Sequence, residues 1–84
     1  MVVYGVYIHS ISYGTDFIAA FSSKRKAKEQ QEYILTNYLP QNFAEPYGYK
    51  WIRVDDMLTV YADEKRVFKC YIKEIIIQKQ IIKL

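Results

Sequence analysis

Hydrophobic and polar positions alternate from the start of the chain. Val2, Tyr4, Val6 and Ile8 fall on one side of residues 2–9, and Val3, Gly5, Tyr7 and His9 on the other. That period of two defines a strand. Because almost every position on both sides is apolar or aromatic, the pattern predicts a largely buried strand, central in a sheet. Residues 10–16, SISYGTD, bring together Ser, Gly, Thr and Asp and predict a hairpin loop. A second short strand follows at 17–21, with Phe17, Ala19 and Phe21 on one side.

The period then lengthens. From Ser22 or Ser23 as N-cap to Leu39, just before Pro40, the spacing predicts a helix. Ala27, Gln31, Ile34, Leu35 and Tyr38 form one stripe along it, with Lys24 at its edge, and this is the side expected to lie on the sheet. Residues 40–49 hold two prolines and a glycine and predict a loop that carries Phe43 and Tyr47 onto the core. Alternation resumes at 49–54 (YKWIRV). Two further strands, MLTVY and RVFKCYIKEIII, flank Ala62-Asp63-Glu64-Lys65, a connection suited to a hairpin. The isoleucines near the C-terminus favour extended structure, because β-branched side chains are stiff at χ1. The last strand is therefore expected to run to about Ile77, with a frayed or partner-bound tail after it. The fold class is α+β: a small antiparallel or mixed sheet with one helix packed on it, order β-β-α-β-β-β.

Composition narrows the range of functions. The 84 residues make one domain, 1–84, of a size that buries only about 60% of its unfolded surface. With 51% hydrophobic and 25% charged residues the chain is not of the disordered class. One cysteine and one histidine cannot form an intramolecular disulfide or a structural zinc site, so no metal or cofactor is expected. The start lacks a signal-peptide pattern and no apolar stretch is long enough to span a membrane. A soluble protein of the cytoplasm is the expectation. Nine tyrosines are more than so small a core can hold, which points to a contact surface.

Catalytic chemistry is poorly provided for. Asp55 and Asp56 are neighbours and read as turn residues, not as a convergent acid–base pair. His9 and Cys70 would have to meet in space to make a nucleophile pair. No phosphate loop, serine elbow or metal constellation appears. The chain is expected not to be an enzyme.

Two sets of residues are candidates for binding. At the helix start, Lys24, Arg25 and Lys26 oppose the helix dipole, which prefers carboxylates there, and with the Ser N-cap they suggest an anion site. On a helical wheel Lys24, Arg25 and Lys28 share a flank while Lys26 points away, and Glu29 and Glu32 partly offset them, so a solvated face is the competing reading. On the later strands, Tyr49, Trp51 and Arg53 share one face, as do Lys69, Tyr71 and Lys73. Cations beside aromatics suit stacked single-stranded nucleic acid. They equally suit a protein interface. The first trio is assigned to a protein partner. Lys24, Arg25, Lys28, Lys69, Tyr71 and Lys73 are assigned to RNA, single-stranded DNA or another anion. An isoleucine-rich edge at the C-terminus leaves room for a homo-oligomer.

The stretches VYGVYIHS (residues 3–10) and DFIAAFSSKRKAKEQQEYI (residues 16–34) resemble a layout of small uncharacterised phage and bacterial accessory proteins. In that layout a leading strand, a loop and a strand ending in Phe-Ser-Ser precede a helix that opens with basic residues. The resemblance spans about the first 40 residues. It implies a non-catalytic counter-defence or host-takeover factor that binds and inhibits a host protein such as a toxin, nuclease or other nucleic-acid enzyme. It carries no site residues with it.

Overall fold

The computed structural model describes residues 1–77. Five strands form one sheet: β1 (Val2–Ser10), β2 (Gly14–Phe21), β3 (Tyr49–Val54), β4 (Met57–Ala62) and β5 (Lys65–Ile76). Every neighbouring pair is antiparallel, which removes the mixed-sheet alternative. The spatial order is β2-β1-β5-β4-β3. Along the chain the helical segment lies between β2 and β3, but the order β-β-α-β-β-β is not the order in the sheet, because β5 inserts between β1 and β4. A β1–β2 hairpin and a β3–β4–β5 meander are joined through β1 and β5.

Between β2 and β3, which are the two edges, the chain must cross one face of the sheet, and it does so as a helical segment. Helix α1 (Lys24–Tyr33) starts at Ser23, whose hydroxyl accepts from the Lys26 amide at 3.3 Å. A π-helical turn over Ile34–Tyr38 follows, and then a short helix α2 (Leu39–Asn42). The helix was expected to stop before Pro40 but continues past it. The wide turn, in which the Leu39 amide reaches back to the Ile34 carbonyl, makes room for a residue that lacks an N–H and would clash in a tighter ladder. One extra residue in that turn also rotates the inward stripe, so Leu39 is fully buried while Tyr38 is 39% exposed.

Val6, Ala27, Leu39, Val60 and Cys70 are fully buried, with Leu58 and Phe68 almost so, and this core lies between the helical segment and one face of the sheet. Phe43 joins it, with its ring 5.2 Å from that of Phe68. Tyr47 does not: it ends a 3-10 turn (Glu45–Tyr47) and is 84% exposed. Gln31, also on the inward stripe, ties the layers together by donating from Nε2 to the carbonyls of Asp56 (2.7 Å) and Cys70 (3.2 Å). Ile77 donates its amide to the Met1 carbonyl at 2.7 Å. The expected tail, 78–84, lies outside the described residues. Among those residues no helix is long and apolar enough to cross a membrane.

Candidate functional site

Cross-strand partners share a face, so the ladder registers sort every strand residue onto the helix side or the uncovered side. Starting from Tyr7, the partners run Phe17, Tyr7, Tyr71, Met57, Val54, one residue from each of the five strands. This apolar and aromatic row crosses the whole uncovered face. Beside it runs a second row, Thr15, His9, Lys69, Thr59, Ile52. Lys73 stands opposite Gly5 on one flank, and Arg66, Tyr61 and Lys50 are in register on the other.

The centre of the row is a packed aromatic cluster. Tyr7 and Tyr71 stack with centroids 5.3 Å apart and planes 10° from parallel, and Phe17 meets Tyr7 edge-on at 5.3 Å. Lys69 Nζ lies 5.1 Å from the Tyr71 centroid, a cation–π contact. Gly5 lets the rings lie close to the backbone, since a Cβ there would stand 2.9 Å from Tyr7 Cε2 and 3.4 Å from Phe17 Cε2. The ends of the row are open, with Phe17 at 55% and Val54 at 63% exposure. A contiguous apolar strip with cationic flanks and no covering element among the described residues is the kind of surface that marks a binding site.

The residues expected from sequence divide between the two sides. Lys69, Tyr71 and Lys73 belong to the uncovered face. Tyr49, Trp51 and Arg53 do share a face, but it is the face turned toward the helical segment, and each has an internal partner. Trp51 Nε1 donates to the Phe43 carbonyl at 2.7 Å, Tyr49 meets the Phe43 ring edge-on at 5.3 Å, and Arg53 is paired with Glu32 of α1. The physical reason is that the chain between the two edge strands crosses this side and needs anchors there. The trio packs within the fold, and the uncovered face of the sheet lies behind it.

The basic cluster at the start of α1 also has an internal explanation. Lys24 and Lys28 reach Asp56 in the β3–β4 turn at 2.8 and 3.3 Å, so the anion these cations hold is the protein's own carboxylate. Hydrogen bonding from Lys24, assisted by Lys28, keeps the Asp56 carboxyl below the usual carboxylate range, and Asp56 in turn raises Lys24. Arg25 is exposed on the first turn. Lys24, Arg25 and Lys28 therefore do not join Lys69, Tyr71 and Lys73 in one site, because the sheet stands between them.

The remaining chemical candidates are separated. Cys70 is opposite Ile8 in register and faces the core, where burial pushes its thiol up to about 11. His9 is on the uncovered face, with Nδ1 2.7 Å from Thr15 Oγ1. The two cannot meet as a nucleophile pair. No group of three or more His, Cys, Asp or Glu side chains that could hold a metal occurs among the described residues.

Sequence reasoning did not pick out Tyr7, Phe17, Met57, Val54, Lys50 and Arg66 as members of this face. The alternation in residues 2–9 does separate Tyr7 and His9 from Val6 and Ile8, which is the signal that leads to them. Compared with known proteins, the chain matches no family model, no curated protein and no solved structure.

Proposed function

We propose that this protein is a small non-enzymatic interaction module that docks a macromolecular partner on the uncovered face of its sheet. The observation that carries this is the row Phe17–Tyr7–Tyr71–Met57–Val54, unbroken over five strands and covered by no element among the described residues. Leaving such a strip in water is costly by comparison with burying it, and its ends, Phe17 and Val54, are more than half exposed. The resemblance in the first 40 residues favours a host protein in the cytoplasm as partner, inhibited by occupation of its surface. Direct binding of RNA or single-stranded DNA is the second reading, and it is favoured by the cations along both flanks of the row.

Photo-crosslinking tests the choice of face. A benzophenone amino acid placed at Val54, at the end of the row, should form adducts in bacterial cells. The same group at Tyr33, which is 62% exposed on α1, should not. Phe17→Ala in the Val54 probe should abolish the adducts. Crosslinks from position 33 alone, or adducts at position 54 indifferent to Phe17→Ala, would refute docking through the sheet.

A further inference from the structure

We infer that the partner of the uncovered face is single-stranded nucleic acid, with its bases laid on the aromatic row and its phosphates held by Lys50, Arg66, Lys69 and Lys73. This rests on the reading of that face as the docking surface and, on the charge and ring geometry of the face, takes the second of its two occupants, nucleic acid, over the host protein.

The first ground is charge complementarity. The chain has nine carboxylate side chains, and not one occupies a strand position on the uncovered face. The two that lie in strands, Asp16 and Glu74, are in register with Ile8 and Tyr4 and so belong to the helix side. The others are on helical segments or in turns at the margin. Asp63 and Glu64 of the β4–β5 turn line a depression with Lys50, whereas the strand partners of Lys69 and Lys73 carry no carboxylate, and these two cations favour an anionic partner. A second copy of this chain, face to face, would bring the same cations against themselves. An apolar protein strand would cover the row and leave the cations unpaired.

The second ground is that the apolar part of the face is built from flat rings. Tyr7, Tyr71 and Phe17 are held by one another within 5.3 Å, so the platform is ordered before anything binds. The Lys69 amine already rests over the Tyr71 ring. A base taking its place stacks on the tyrosine and releases the amine toward the adjoining phosphate. Every base has a π face, so such a platform is tolerant of sequence. A duplex keeps its bases stacked on one another and cannot offer those faces, which makes a single strand the preferred form. At the β3 end the row runs into a depression of about 390 Å³ lined by Val54, Asp55, Asp56, Met57, Tyr71 and Ile72, so acidic side chains border that end of the row.

Fluorescence anisotropy with labelled mixed-sequence decamers decides the matter, using the full chain and four probes: single-stranded RNA, single-stranded DNA, the corresponding duplex and a poly-glutamate decamer. The single strands should bind best. Their affinity should fall with salt at a log–log slope of about −2 to −3, as expected for three or four phosphate contacts. Tyr71→Leu should weaken binding about tenfold with little change in slope. The Lys69→Gln, Lys73→Gln double variant should make the slope shallower by about 1.4. Far-UV circular dichroism verifies that the variants are folded, and Arg25→Gln with Lys26→Gln, on the opposite side, should change nothing. Equal affinity for duplex and single strand with no effect of Tyr71→Leu would overturn stacking, as would a slope that responds only to the Arg25 and Lys26 changes. Absence of binding at low salt, or preference for poly-glutamate, would overturn the nucleic-acid partner. Should adducts at position 54 persist in that case, the docking face itself would stand.

Discussion

Gly5 shows how one residue sets the form of the candidate site. It lies in a strand, where glycine is ordinarily a weakness, yet its missing side chain is what allows Tyr7, Phe17 and Ile75 to close over the backbone. Alanine at this position would stand 2.9 Å from Tyr7 Cε2 and Ile75 Cδ1. The Ile75 tip can rotate away, but the Tyr7 ring is held between Tyr71 and Phe17. Overpacking of this kind costs about 1–3 kcal/mol, offset in part by the lower entropy of the unfolded chain. Gly5→Ala should therefore lower stability by about 1 kcal/mol in urea unfolding. It should also weaken whatever the aromatic row binds. A gain in stability would show that the cluster is looser than its geometry implies.

At the scale of elements, two connections depart from what local sequence prefers. The β4–β5 hairpin closes through only two residues, Asp63 and Glu64, both with positive φ (50° and 66°). That is a type I′ turn, which asks for glycine at the second position. Aspartate tolerates the left-handed region, whereas glutamate has no special fitness for it. Glu64→Gly should stabilise the protein by about 0.5–1 kcal/mol, read as a rise in the unfolding midpoint. No change would indicate that Glu64 makes a compensating contact in solution. The second departure is Pro40, which reads as a helix stop and is instead accommodated by the π turn before it. Tertiary packing overrides the local signal there, because the turn brings Leu39 into the core while α2 leads toward Phe43.

For the whole molecule, the bridge from α1 to the β3–β4 turn couples stability to pH. Lys24 hydrogen-bonds and neutralises Asp56 and keeps its carboxyl below the ordinary value, and Lys28 adds to this. The stabilisation is complete above the ordinary aspartate value of about 3.9 and disappears as pH falls through the lower value of the folded state. Lys24 is raised, so its share is present below the ordinary lysine value and is lost only in strong alkali. These side chains are partly exposed and screened, so the effect is modest. Asp56→Asn should be slightly less stable than the parent at neutral pH, and the difference should close as both are titrated below about pH 3.9. A difference that persists unchanged in acid would mean that Asp56 acts through the turn backbone and not through its charge.

The sequence alone determined the strand and helix periods, and with them the class of fold, the inward stripe around Ala27, Gln31 and Ile34, and the grouping of Lys69, Tyr71 and Lys73 on one face. Alternation along a strand depends only on local backbone geometry, which is why these were legible. Only the tertiary structure decided which face of each strand meets the helix. Tyr49-Trp51-Arg53 and Lys69-Tyr71-Lys73 are equally mixed in aromatic and basic character, so neither announces its side. The choice follows from the pairing of β1 with β5, residues far apart in the chain, and from a crossover that must pass over one side of the sheet. That same pairing aligns Phe17, Tyr7, Tyr71, Met57 and Val54 into one row, a juxtaposition that no period within a single segment contains.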